Sequence, residues 1–202
     1  PLPAWNFLHN APDGPDELAF FRTVLEKVCA SHAVDRTRIF VTGHSHGSVM
    51  TQTLALVLSD IFAAAAPCSG ILFRGFGMDI RKLPEVKNRA GLEIPIWMFG
   101  GEQESWLLPT LPTDENDTGN SILVWREINH LSSDSPMDWG EGWEVSGRWH
   151  DLRLRRMDGA PMVSYTWVDY MPHATMPEMS FRIWEEFFSK FARIDGKVVY
   201  TP

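Results

Sequence analysis

Disulfide scaffolds and membrane spans are both missing from this sequence of 202 residues. It has only two cysteines, Cys29 and Cys68, too few for a disulfide scaffold, and we expect both to be buried free thiols. Its apolar runs fall short of the ~18–20 residues that a membrane span needs. Basic residues (18) are fewer than acidic ones (26), and the net charge of −8 argues against a nucleic acid or an anionic membrane as partner.

The sequence also shows no internal repeat and no second domain, so residues 1–202 are predicted to form a single domain. It begins PLPAWNF, without an initiator methionine or a signal peptide. We therefore expect either a processed start or, as argued below, a longer polypeptide. The sequence leaves the compartment open.

Helical and strand patterns alternate through most of the chain. Apolar spacing predicts helices over residues 16–32, from 47 onward, over about 120–131 and over 177–193. Buried strands are predicted at IFVTG, FAAAAPCSG and IPIWMFG, two more strands around the turn at residues 157–159, and an irregular segment over 132–147. The last helix is predicted to carry an apolar side made of Phe181, Trp184, Phe187, Phe188 and Phe191. This alternation is typical of an α/β fold with a mainly parallel sheet.

The motif Gly43-His44-Ser45-His46-Gly47 matches the G-x-S-x-G nucleophile elbow. Its glycines allow backbone segments to pass closely, so that the turn exposes the serine hydroxyl. A buried strand before the motif and a helix after it are the context that the elbow requires. We therefore predict that Ser45 is a nucleophile and that the backbone N–H of His46 stabilises an oxyanion.

The two histidines that flank Ser45 are poor candidates for a general base or a metal site. A side chain next to the serine in so tight a turn cannot easily reach its hydroxyl, and no carboxylates accompany the pair at ligand spacing. We expect His44 and His46 to line the pocket and predict no metal or cofactor. His44 and the loop residue Trp5 are candidate substrate contacts, although tryptophans also cover a core.

In an elbow fold the acid and the base follow the serine along the chain, in that order, each on a loop after a strand. His173 lies between the strand SYTWVDYM and the last helix, so we predict that it is the general base. The loop after IPIWMFG offers two acids, Glu102 and Glu104, and the pattern alone does not choose between them.

The stretch from residue 33 to residue 70 resembles the elbow region of the polyhydroxybutyrate depolymerase and feruloyl esterase-like group of α/β-hydrolases. The residues that carry the likeness are Asp35, Arg38, Gly43, Ser45, Gly47 and Met50, with Trp5-Asn6-Phe7 similar to the group's "W-N-[WF]" segment. The loop PIWMFGGEQE resembles "P-[VIL]-x-x-x-H-G-x-x-D" and PHATMPE resembles "G-H-x-W-P". The resemblance implies that Glu104 is the acid, with Glu102 in reserve, and that His173 is the base.

The chain departs from the group at several positions. Glutamate replaces the commoner aspartate at residue 104, Gly100 replaces a histidine, Met171-Pro172 precede the base in place of glycine, and Thr175 replaces a tryptophan. Members of the group carry further strands and a second oxyanion donor ahead of "W-N-[WF]", and losing one such donor costs about 2.7–4 kcal/mol. If the chain began at Pro1, the strand IFVTG would also be an apolar sheet edge, which invites pairing with another copy of the chain. We therefore expect a longer native protein.

The resulting prediction is an N-terminally incomplete α/β-hydrolase domain that acts as a serine carboxylic-ester hydrolase with a Ser45–His173–Glu104 triad and an acyl-enzyme. The resemblance implies polyester, feruloyl, acetyl or small acyl esters as substrates and favours secretion. Two alternatives stay open: a serine peptidase of the oligopeptidase type, and a non-catalytic module that keeps the elbow.

Overall fold

A six-stranded sheet forms the centre of the computed structural model, which describes Trp5 and residues 14–70, 92–105, 110–132 and 137–202. Its strands lie in the order β1-β2-β3-β6-β5-β4. They are β1 (Phe40–His44), β2 (Ala64–Cys68), β3 (Ile96–Gly101), β4 (Glu144–Ser146), β5 (Trp149–Arg155) and β6 (Pro161–Val168). The first three strands and β6 are parallel, and β5 and β4 add antiparallel pairs at one side. The predicted α/β fold with a mainly parallel sheet is confirmed.

The interior strands β2 and β3 are buried along their whole length, as their small or apolar residues predict. Strand β1 is different: it pairs only with β2 in the described part of the chain, and its Thr42 is exposed. The prediction of a fully buried β1 is therefore wrong, and among the described residues β1 is an edge strand of the sheet. Pairing of this edge with another copy stays a prediction.

In the described ranges, three helices of at least twelve residues flank the sheet: α1 (Glu17–Ser31), α2 (His46–Val57) and α3 (Asp117–Ile128). Helix α1 begins where the Asp16 carboxylate accepts the N–H of Ala19 at 2.9 Å. Helix α3 begins three residues earlier than predicted, because the side chain of Asn116 caps it by accepting the N–H of Gly119 at 2.9 Å. None of the helices in the described ranges is long and apolar enough to cross a membrane.

The C-terminal region differs most from the sequence prediction. Helix α4 (Pro177–Arg182) continues through a π-helical and a 3-10 turn to Lys190, and Phe191 then opens a hairpin of β7 (Phe191–Ile194) and β8 (Lys197–Tyr200). The hairpin turns at Asp195-Gly196, and both residues have positive φ. An Asp-Gly pair is a hairpin signal, but here it directly follows residues whose apolar spacing predicted a helix. Phe181 and Trp184, predicted to be apolar-side residues, are 72% and 51% exposed. The helical assignment of Phe191 is likewise wrong.

Alternate residues of the strands supply two apolar clusters, one on each face of the sheet. One cluster includes Ala65, Ile96 and Met98 and packs against α2 and α3. The other includes Ala66, Trp97 and Phe99 and packs against α4 and the turns after it. The helix-covered sheet therefore holds the carboxyl ends of β1, β2, β3 and β6 in fixed relative positions.

An ion-pair network joins α4 to the sheet. Arg182 donates to Asp151 at 2.6 Å and to Glu186 at 2.7 Å, and Arg153 donates to Asp151 at 3.1 Å and to Glu186 at 2.6 Å. Both guanidinium groups lie about 5 Å from the ring centre of Trp97. Each charge in this half-buried cluster therefore has an opposite charge in contact.

Candidate active site

Ser45 lies in a sharp turn between β1, which ends at His44, and α2, which begins at His46. Its backbone is in a strained region, with φ 57° and ψ −120°. The turn is tight enough that a Cβ built on Gly43 would overlap the carbonyl oxygen of Gly47. The N–H of Ser45 donates to the carbonyl of Cys68 at 3.0 Å, which ties the turn to the end of β2. The strand-turn-helix geometry of a nucleophile elbow is thus present.

His173 lies on the loop between β6 and α4, and its ring contacts both predicted partners. The Nε2 atom is 2.9 Å from Ser45 Oγ, and the Nδ1 atom is 2.9 Å from Glu104 Oε2. The three side chains therefore form a continuous hydrogen-bonded chain from hydroxyl through imidazole to carboxylate, although they come from loops after three different strands.

The two candidate acids have separate partners. Glu104 ends a 3-10 turn directly after β3 and is 0% exposed, and its Oε1 atom accepts the N–H of Gly101 and the hydroxyl of Ser69, both at 2.8 Å. Glu102 lies at the start of the same turn and accepts the N–H of Tyr170 at 2.8 Å. The structure thus brings Glu104, and not Glu102, to the imidazole of His173.

The other predicted site residues lie at different distances from this centre. His46 is exposed at the first position of α2, with its N–H at the helix N-terminus beside Ser45. The His44 ring lies 4.7 Å from the His173 ring, and burial together with the neighbouring His173 lowers the pKa of His44. Trp5 is exposed and lies 5.5 Å from the ring of Phe21 on α1, and no described contact joins it to Ser45.

No group of metal-ligating side chains is found within the described ranges. The Nε2 atom of His44 is buried and has no hydrogen-bond partner. His44 is therefore a part-buried ring packed against His173, whereas His46 is exposed.

Sequence reasoning missed the segment from Cys68, the last residue of β2, to Gly70, which we call the 68–70 segment. Cys68 packs its sulfur 3.5 Å from Ser69 Oγ, and burial raises the pKa of its thiol to about 12. The expectation of a buried free thiol is confirmed for Cys68, whereas Cys29 is free but only half-buried. The signal in the sequence was the polar Ser-Gly pair that ends the alanine-rich strand.

Comparisons with known proteins agree with this fold. No family model matches the chain. Over 57 residues it is 37% identical to poly(3-hydroxyalkanoate) depolymerase C of Paucimonas lemoignei, a match that covers 28% of this chain and 14% of the depolymerase. Among solved structures, acetyl xylan esterase from Aspergillus awamori matches 85% of this chain and 66% of its own, with 13% identity and a TM-score of 0.56. A thermostable esterase matches 84% of this chain and 33% of its own, with 21% identity and a TM-score of 0.46.

The sheet, its flanking helices and the likeness to acetyl xylan esterase define an α/β-hydrolase fold. The sequence similarity over 57 residues is to a depolymerase, which confirms the resemblance to the polyhydroxybutyrate depolymerase and esterase-like group. The chain spans about one seventh of that depolymerase and just under two thirds of the acetyl xylan esterase.

Proposed function

We propose that the chain carries the catalytic site of a serine carboxylic-ester hydrolase. The observation that carries the proposal is the hydrogen-bonded chain from Ser45 Oγ through His173 to the buried carboxylate of Glu104. The similarity to a depolymerase and the α/β-hydrolase fold are further support. Nucleophile, acid and base follow one another along the chain in the order that elbow hydrolases use.

In the proposed reaction Ser45 Oγ attacks the carbonyl carbon of the ester while His173 Nε2 takes the hydroxyl proton. Collapse of the tetrahedral intermediate breaks the bond to the alkoxy group, and His173 returns the proton to the departing alcohol. Water then attacks the acyl-enzyme and gives a proton to His173. Collapse of the second tetrahedral intermediate breaks the bond between the acyl carbon and Ser45 Oγ, His173 returns the proton to Ser45 Oγ, and the carboxylic acid is released. The Glu104 carboxylate accepts a hydrogen bond from the Nδ1–H of His173 throughout and stabilises the imidazolium that forms twice in each cycle.

The oxyanion of both tetrahedral intermediates is proposed to bind the N–H of His46. That group lies at the first position of α2, at the end of the helix that carries the positive end of its dipole. His44 and Trp5 stay predicted substrate contacts. The His44 ring adjoins His173, which favours a place at the base of the pocket.

The proposed substrates are polyesters, acetyl or feruloyl esters on polysaccharides, or small acyl esters, in keeping with a poly(3-hydroxyalkanoate) depolymerase and an acetyl xylan esterase among the similar proteins. The alternative of an oligopeptidase-like peptidase uses the same three residues, and the alternative of a non-catalytic module uses none of them.

A fluorophosphonate probe tests the proposal, because it reacts covalently with an activated serine. We expect labelling of Ser45 and hydrolysis of p-nitrophenyl acetate, with both lost in Ser45→Ala and neither lost in Ser31→Ala, which changes an exposed serine of α1. Turnover of a p-nitroanilide peptide at a rate equal to or above that of the ester would instead indicate the peptidase. Absence of labelling in wild type would favour the non-catalytic module.

A further inference from the structure

Ser69 is a buried residue in an unfavourable backbone conformation. It follows β2 directly, is 3% exposed and has φ 55°, in the left-handed region that favours glycine. A glycine would adopt this conformation without strain. The residue at this position is nevertheless serine, and its hydroxyl donates to Glu104 Oε1 at 2.8 Å.

The 68–70 segment contacts both the nucleophile and the acid. The carbonyl of Cys68 accepts the N–H of Ser45, whereas the hydroxyl of Ser69 reaches Glu104. The carbonyl of Gly70 accepts the hydroxyl of Ser48 at 2.8 Å and the amide of Gln52 at 3.0 Å, so the segment is also fixed to α2. Movement of Ser69 independent of the elbow is therefore restricted.

The hydrogen bond from Ser69 matters more to a glutamate in the role of the acid than it would to an aspartate. Glutamate has one more rotatable bond, so more orientations must be excluded to keep one oxygen on the imidazole. Ser69 and the N–H of Gly101 both donate to Oε1, which leaves Oε2 directed at His173 Nδ1. Hydrogen bonds to an ionised carboxylate are among the stronger ones in proteins.

We propose that Ser69 is a positioning residue for the reaction: it acts through Glu104 by fixing the carboxylate that orients His173. This inference rests on the proposed function. It predicts that the hydroxyl contributes to turnover and little to substrate binding, and that its contribution vanishes when Glu104 is absent.

The first test is Ser69→Gly, which removes the hydroxyl and is compatible with a positive φ. We expect kcat for p-nitrophenyl acetate to fall roughly 10- to 100-fold, the value of one hydrogen bond to a charged group, with KM within about twofold of wild type. The matched control is Asp195→Gly, which replaces another residue of positive φ (49°) in the β7–β8 turn and should leave kcat unchanged. An unchanged kcat in Ser69→Gly would overturn the inference.

The second test combines Ser69→Gly with Glu104→Ala in a double-mutant cycle, read out by kcat and by the rate of fluorophosphonate labelling. We expect the double variant to match Glu104→Ala alone. If the two losses multiply instead, Ser69 does not act through Glu104 and the inference is wrong. Should Glu104→Ala not fold, Glu104→Gln takes its place, because an amide cannot stabilise the imidazolium.

The two tests separate this inference from the proposed function. An active wild type with independent losses rejects only the role of Ser69. A wild type that neither hydrolyses the ester nor reacts with the probe rejects the function and the role of Ser69 together.

Discussion

Tyr165 occupies the space that a side chain at residue 100 would need. A Cβ built on Gly100 of β3 would overlap the hydroxyl oxygen of Tyr165 on the neighbouring strand β6. The ring of Tyr165 is buried and its hydroxyl donates to the carbonyl of Thr110, while burial and the nearby Glu104 hold the pKa of this hydroxyl well above its ordinary value. The glycine that replaces the group's usual histidine is thus explained by the tyrosine beside it.

Gly100→Ala is therefore expected to lower the free energy of unfolding by about 1–3 kcal/mol through overpacking. Urea unfolding followed by circular dichroism measures the change. The cost should shrink in a Tyr165→Phe background, which removes the overlapping oxygen. Gly47→Ala is the matched control, because nothing lies within 4 Å of a Cβ there. Equal costs of Gly100→Ala in both backgrounds would contradict the overlap.

Glu104→Gln and Glu102→Gln form a matched pair, since the two side chains lie two residues apart in one turn. Because only Glu104 contacts His173, we expect Glu104→Gln to lower kcat roughly 10³- to 10⁴-fold through loss of the imidazolium partner. Glu102→Gln weakens a bond to the N–H of Tyr170 and should change kcat less than about tenfold. Steady-state kinetics on p-nitrophenyl acetate measures kcat of the two variants. A larger loss of kcat in Glu102→Gln than in Glu104→Gln would identify Glu102 as the acid.

The ion-pair network on α4 makes the fold sensitive to acid. Burial alone would raise the pKa of Asp151, but hydrogen bonds from Arg182 and Thr166 and the charges of Arg182 and Arg153 outweigh it, and the net pKa is lowered. The pKa of Glu186 is lowered by the same two arginines against burial. Stability from a carboxyl of lowered pKa is complete above its unfolded pKa, near 4, and is lost as the pH falls through the lower folded value.

We accordingly expect a small decline of the urea midpoint below about pH 6.5, which comes from the lowered pKa of His44, and a further decline below about pH 4, which comes from the ion-pair network. Asp151→Asn should flatten this decline and cost about 3–5 kcal/mol at pH 7, because it leaves two half-buried guanidinium groups with less compensation. Glu185→Gln, an exposed neighbour of Glu186, is the control and should retain the wild-type pH profile. A decline of the same size in Asp151→Asn would place the acid sensitivity elsewhere.

Cys68 is expected to resist alkylation in the folded protein. With its pKa raised to about 12 by burial, the thiol is almost entirely protonated at pH 8 and is also shielded from reagent. Iodoacetamide at pH 8 followed by peptide mass spectrometry should modify the half-buried Cys29 first and Cys68 only after urea is added. Equal labelling of both cysteines without urea would show that the 68–70 segment opens readily.

The sequence predicted those parts of the site that depend on local pattern and chain order. A strand, a glycine-bracketed serine and a helix predict an elbow at Ser45, and the parallel sheet brings the loop of His173 to the same edge. The role of Ser69 could not be predicted, because its hydrogen bond to Glu104 depends on the register in which β2 pairs with β3, and the sequence does not give that register. The C-terminal hairpin was missed because the preceding aromatic residues fit a helical period up to Phe191.

The hydrogen bonds just beyond the strand ends link the site to the pairing of the sheet. The N–H of Ser45 binds the carbonyl of Cys68 at 3.0 Å, and the N–H of Ser69 binds the carbonyl of Phe99 at 2.9 Å, so each extends a parallel ladder by one step. A slip of one residue between β1, β2 and β3 would separate these groups and turn their side chains to opposite faces. Recovery of hydrolytic activity after refolding would therefore report correct register of three strands, which neither compaction nor strand content alone reveals.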